Sequence, residues 1–169
     1  MIKRPQSDEY SDYAARYVDL VGNGPIIEIL EYLQQSTYNF FVRMDPDKAG
    51  YAYDGSKWTV KQVLGHMADS ERVFAYRALA FSHEAIELPG FDQDVYMEKA
   101  TFNTRTLEDL ANEFKTIREA TLYLFRAMTD EQSTQKGIAS GNPVSVRALA
   151  YIIAGHEMHH IKILKERYL

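Results

Sequence analysis

Two histidines four residues apart, His156 and His160, are the side chains of this sequence best placed to do chemistry. On an α-helix that spacing puts both imidazoles on one face, one turn apart. There they can share one metal ion, at roughly 2.0–2.1 Å per nitrogen if the ion is zinc. Both also fall on a stripe at spacings of three and four that is otherwise apolar, made of Val146, Leu149, Ile153, His156, His160 and Ile163. The plain alternative is a pair of ordinary polar residues on a helix end. Burying two imidazoles without partners is costly, however, and one metal satisfies both. His66, beside Val63 and Met67 on a second helical stripe, is the natural third ligand.

Three neutral histidines leave coordination positions open, the mark of a catalytic rather than a structural site. Such a metal lowers the pKa of a bound water or thiol and makes a nucleophile near neutral pH. Around the ligands, Asp69 and His159 are candidates to orient an imidazole from outside the coordination sphere, and Glu157 is a candidate for proton transfer. The plain reading of Asp69 is a solvated helix carboxylate. His83 falls where its helix gives out and reads as surface. A glycine precedes His66 and another precedes His156. Each costs roughly 1 kcal/mol in a helix relative to alanine. Close helix approach where imidazoles converge would explain them, and so would ordinary helix packing. Imidazoles must be deprotonated to bind, so metal loss is expected as pH falls through the usual His range near 6.5.

Two other motifs overlap these residues. His156-Glu157-Met158-His159-His160 matches H-E-x-x-H, in which Glu157 would be the general base of a zinc peptidase. Those enzymes take a third ligand downstream, only nine residues follow His160, and no β-sheet is evident to hold an extended peptide. Glu157 and His160 also form E-x-x-H, but a di-iron bundle needs a second such pair, and no other histidine here has Glu three residues before it.

The elements that must position these residues are four long segments of helical periodicity. None of comparable strength alternates like a strand. The first carries Ile26, Leu30, Leu33, Thr37, Phe40 and Met44, opened by Pro25 and stopped by Asp45-Pro46. The second runs from about Thr59 to Ser82, with Thr59 and Gln62 as a capping box. The third carries Leu107, Leu110, Phe114, Ile117, Leu124 and Met128, with Thr106 and Asp109 at its start. The fourth begins after Asn142-Pro143, capped by Asn142 or Ser145, and runs to the C-terminus. Connections are short except for the stretch from His83 to Arg105, a long crossover that lets consecutive helices run parallel. Tyr10, Tyr13, Tyr17 and Leu20 suggest a short extra N-terminal helix packed outside the bundle.

Axial level sets the helix directions. His66 lies about seven residues, roughly 10 Å, from the start of its helix, and the His156/His160 pair lies about nine residues, roughly 14 Å, from the end of its own. The levels match if the second and fourth helices are antiparallel and miss by about 10 Å if they are parallel. With the crossover, the expectation is an all-α, up-down-down-up four-helix bundle spanning residues 1–169 as one domain.

Composition narrows the function. The chain has 169 residues and a formal net charge of -5, which argues against nucleic acid or an anionic membrane as partner. There is no cysteine, so any thiol chemistry must use the sulfur of a small molecule. No signal peptide or membrane span is evident, and a cytoplasmic location is expected.

Three stretches together, Trp58 through His66 (WTVKQVLGH), Leu88 through Asp94 (LPGFDQD), and Val146-Arg147-Ala148-Leu149 through Gly155-His156-Glu157-Met158-His159-His160, resemble the DinB-like (YfiT-like) superfamily of metal-dependent enzymes. The resemblance implies an up-down-down-up bundle, often a homodimer, with zinc or nickel on three histidines that match His66, His156 and His160. It further implies hydrolases, or transferases and isomerases using low-molecular-weight thiols such as bacillithiol or mycothiol. The crossover stretch Phe91–Asp94 could then line the mouth of the site. A non-catalytic metal-binding or interaction bundle is the alternative, and a metallopeptidase is the less favoured third.

Overall fold

The computed structural model describes residues 2–169. Four long helices form the bundle: α2 (Ile26–Val42), α3 (Val60–His83), α5 (Leu107–Arg126) and α7 (Val146–Arg167). Short helices α1 (Asp12–Val18), α4 (Gln93–Lys99) and α6 (Asp130–Thr134) decorate it. The long helices start where local chemistry requires. The Thr59 hydroxyl accepts from Gln62 N while the Gln62 side chain accepts from Thr59 N, a reciprocal cap on α3. Thr106 accepts from Asp109 N at the head of α5, and Ser145 accepts from Ala148 N at the head of α7.

Cross-helix contacts fix the directions. Glu31 pairs with Arg126, and Lys115 lies over the Tyr38 ring, so α2 and α5 are antiparallel. The Thr59 hydroxyl is 2.7 Å from Asn103 Oδ1 and Glu71 pairs with Arg118, so α3 and α5 are parallel. Tyr168 donates to Trp58 O at 2.8 Å while His66 meets His156, so α3 and α7 are antiparallel. The bundle is up-down-down-up, with the crossover 84–106 joining the two parallel helices.

Residues 84–106 are not structureless. They hold a two-residue strand β1 (Glu87–Leu88), then α4, then a turn of 3-10 helix at Phe102–Thr104. Strand β1 pairs in parallel with β2 (Lys136–Ala139), which forms an antiparallel hairpin with β3 (Asn142–Ser145). The hairpin turns on Ser140 (φ 54) and Gly141 (φ 76), both left-handed, as a two-residue turn matching strand twist requires. The all-α bundle is as expected, and a small three-stranded sheet accompanies it. Strands of two and four residues are too short for alternation to register as a pattern.

The apolar interior divides into two clusters with a buried polar layer between them. On α2 the order is Leu33, Thr37, Phe41; on α3 it is Ala78, then Glu71 and Ser70, then Ala68; on α5 it is Leu122, Arg118, Phe114; on α7 it is Ala154, then His156 and Glu157, then Leu164. The middle residue or pair in each series is polar and buried. Buried charge is tolerated only when paired and hydrogen-bonded. Here Arg118 Nε and Nη2 each meet one Glu71 oxygen at 2.7 Å, and Nη2 lies 2.7 Å from Glu157.

Candidate metal centre

His66 projects from the second turn of α3, and His156 and His160 project from successive turns of α7. Antiparallel packing brings the three imidazoles together. His66 Nε2 is 3.2 Å from His156 Nε2, and His160 Nε2 is 3.1 Å from the same atom. One ligating nitrogen from each residue lies within 4.8 Å of the other two. His66 and His156 are buried and His160 is half-buried.

Hydrogen bonding alone does not account for this convergence. The Nε2 atom of a neutral imidazole either donates one hydrogen or accepts at one lone pair. His156 Nε2 faces two other ring nitrogens at once, so one contact is left unsatisfied in either tautomer. Ligands at about 2.05 Å from one tetrahedral ion stand roughly 3.3 Å from each other, close to both observed separations. The donor set therefore fits a single divalent transition ion.

Burial holds these rings in the neutral, ligating form. It lowers the His66 pKa from 6.5 to about 4. Burial, reinforced by repulsion from His66 and His159, lowers that of His160 to about 3. Burial and the other two histidines lower that of His156 well below 6.5. The metal-free site thus resists protonation well below the ordinary His range, and the expected pH of metal loss moves down with it.

The walls are aromatic. Trp58 packs against His66 with centroids 4.9 Å apart, while Tyr17 and Phe74 lie edge-on to His156 at 5.4 and 5.7 Å. At neither glycine is the facing histidine-bearing helix the nearest neighbour. A Cβ on Gly155 would stand 1.9 Å from Tyr17 O, so the glycine lets the α1 backbone press against α7. A Cβ on Gly65 would stand 2.4 Å from the Phe102 ring of the crossover.

A cleft of about 340 Å³ opens beside the histidines. His66, Ser70, Phe74 and Arg77 line it from α3, Leu149, Ile152 and His156 from α7, Tyr13 and Tyr17 from α1, Phe91 and Gln93 from the crossover, and Ser140, Asn142 and Val144 from the hairpin. The crossover stretch Phe91–Asp94 thus supplies two of the lining residues.

The flanking candidates fall elsewhere. Glu157 points away from the ligand face into the polar layer, beside Arg118, and burial raises its pKa against the opposing pull of Arg118. A residue next to a helical ligand is turned by about 100° from it, which here means into the core. Asp69 is paired with Arg72 at 3.3 Å rather than with an imidazole. His159 stacks edge-on to Tyr17 at 5.6 Å and to His160 at 5.3 Å. His83 is exposed, as its position suggested. Sequence reasoning passed over Ser70, whose fully buried hydroxyl is 3.4 Å from His66 Nδ1. Its position four residues after His66, on the same face, was the available signal.

A family model described as the DinB superfamily matches residues 29–164. Among solved structures, YfiT from Bacillus subtilis, described as "a probable metal-dependent hydrolase with an unusual four-helix bundle topology", superimposes with a TM-score of 0.72 at 18% identity, covering 97% of this chain and 90% of that one. At that identity the likeness shows the fold. Curated proteins give no match.

Proposed function

Since the chain belongs to the DinB superfamily, we propose that it is a metal-dependent enzyme acting on a small molecule, with one divalent transition ion on His66, His156 and His160. The observation that carries this reading is the convergence of three imidazoles, two of which, His66 and His156, line an open cleft. A bound zinc or nickel ion would supply Lewis-acid activation of a water or of an external low-molecular-weight thiol. The protein's own residues fix the rest. Burial keeps the three rings unprotonated at neutral pH, and Trp58, Tyr17 and Phe74 pack against the His66 and His156 rings. The lack of cysteine assigns any thiol to the substrate side.

The peptidase reading loses its base, because the Glu157 carboxylate is committed to Arg118 in the core. A closed structural metal site would need a fourth ligand, and among the described residues no fourth His, Asp or Glu joins the cluster. The test is turnover by zinc- and nickel-loaded protein of simple esters, and of small electrophiles with bacillithiol, mycothiol or glutathione. Activity that disappears in His156→Ala supports the proposal. Inactivity with the whole panel, in protein shown to carry one metal, counts heavily against an enzyme and for a metal-binding bundle without turnover.

A further inference from the structure

The cleft beside the three histidines has a charge character opposite to that of the protein. The chain carries 24 acidic and 19 basic side chains. Yet among the described residues no Asp or Glu lines the cleft, and Arg77 is its one formally charged side chain outside the histidines. Arg77 is 6% exposed. A buried guanidinium ordinarily has a carboxylate partner, as Arg118 has in Glu71. Arg77 has none among the described residues. Its Nη2 donates to Pro89 O at 2.9 Å and reaches Ser140 Oγ at 3.3 Å, both neutral, and Phe91 lies 6.0 Å from its central carbon. Among the described residues, Nε and Nη1 find no acceptor.

Arg77 also shares a face with the metal centre. His66, Ser70, Phe74 and Arg77 follow at spacings of four, four and three along α3, and all four line the cleft. His66 and Arg77 are eleven residues apart, roughly 16 Å of helix rise. Between them lie Phe74, Leu149 and Ile152.

We infer that Arg77 is the anchor for a carboxylate on the substrate, which lies along the cleft with an apolar body over Phe74 and its reacting group at the histidines. A carboxylate would bring the missing negative charge and accept a charge-assisted hydrogen bond from Nε or Nη1, the two nitrogens without an acceptor among the described residues. The cleft volume suits a ligand of modest size. The inference rests on the proposed metal enzyme only for where the reacting group sits; the anchor itself needs no metal.

The test is calorimetric binding of matched probes, 6-phenylhexanoate, 6-phenylhexanamide and the corresponding phosphonate, to metal-loaded and chelator-treated protein. Metal content is measured in parallel, and folding of each variant is checked by circular dichroism. Wild type binds the carboxylate at least about tenfold more tightly than the amide, with or without metal. Arg77→Gln abolishes that preference while retaining its metal and its fold, and Arg77→Lys retains part of it. A preference that survives in Arg77→Gln and vanishes on metal removal would place the anion on the metal and overturn the inference. No preference in wild type, or phosphonate binding at least tenfold tighter than carboxylate, would overturn it as well. Wild type without metal at the histidines would instead sink the proposed function, while the Arg77 preference would still be read in the chelator-treated arm.

Discussion

Replacing Arg118 by Met should be among the most damaging single changes in the bundle that touches neither the histidines nor the cleft. Arg118 has no exposed surface and is the cation for two carboxylates, Glu71 and Glu157, whose side chains are 3% and 2% exposed. Methionine fills comparable volume, so the loss is electrostatic rather than a cavity. Breaking a buried ion pair by removing one partner costs about 3–5 kcal/mol. An independent route gives a similar figure: an orphaned Glu can escape only by taking a proton, which at pH 7.5 costs an ordinary Glu about 4 kcal/mol. Glu157 adds less, because burial already raises its pKa and favours the neutral acid. Urea unfolding followed by circular dichroism at pH 7.5 should show the loss. At pH 5 the deficit should fall to about 1–2 kcal/mol, since the protonation route then costs little. Converting Glu71 and Glu157 to Met and Leu in the same chain should recover most of it, as apolar replacements of buried ion clusters usually do. A deficit under 1 kcal/mol at pH 7.5, or one equal at both pH values, would refute the paired polar layer.

Further outcomes are expected. His160→Ala should lose bound metal in an elemental analysis that finds about one ion per wild-type chain; equal content in both would remove His160 from the site. Retention of metal should hold to about pH 5 and fail near pH 4 and below, because burial lowers the His66 and His160 pKa values to about 4 and about 3; a dialysis series showing release centred near 6.5 would contradict this. Gly155→Ala should destabilise by about 1–3 kcal/mol in thermal or urea unfolding despite its better helix propensity, since the obstruction is the Tyr17 backbone; Gly65→Ala should cost less, because the Phe102 side chain can turn aside. Glu9, whose burial would raise its pKa, is held at about 2 instead of 4.5 by hydrogen bonds from Arg147, Ser145 and the Gln6 backbone. A lowered carboxylate pKa stabilises above 4.5 and loses that stabilisation as pH falls toward 2. Wild type should therefore exceed Glu9→Gln by about 2 kcal/mol at pH 7, with the gap closing by pH 2 in an acid-unfolding series.

What could be read from the sequence was what is local or strictly periodic. Thr59, Thr106 and Ser145 cap their helices through bonds spanning three residues, and such signals need no tertiary knowledge. The three histidines stood out because two shared a stripe, and the axial levels fixed the antiparallel α3–α7 pair. Features set by a second buried face did not show. Arg118, Glu71 and Arg77 look like solvent-facing charges until α5, α7 and the hairpin close over them. Glu157 looked like a partner of its histidine neighbours, whereas α7 is buried on more than one side and turns Glu157 toward α5. The hairpin was missed because its Ser140-Gly141 turn was masked by strands too short to alternate visibly.

His66, His156 and His160 are proposed to hold one ion and leave it open to the cleft. The direct measurement is a crystal structure of metal-loaded protein with anomalous data on both sides of the zinc and nickel edges. The expected result is a single anomalous peak about 2.0–2.2 Å from one nitrogen of each of the three rings, with no fourth protein ligand and a solvent position facing Phe74. A peak elsewhere, a fourth side chain closing the ion, or three histidines without any peak would contradict it.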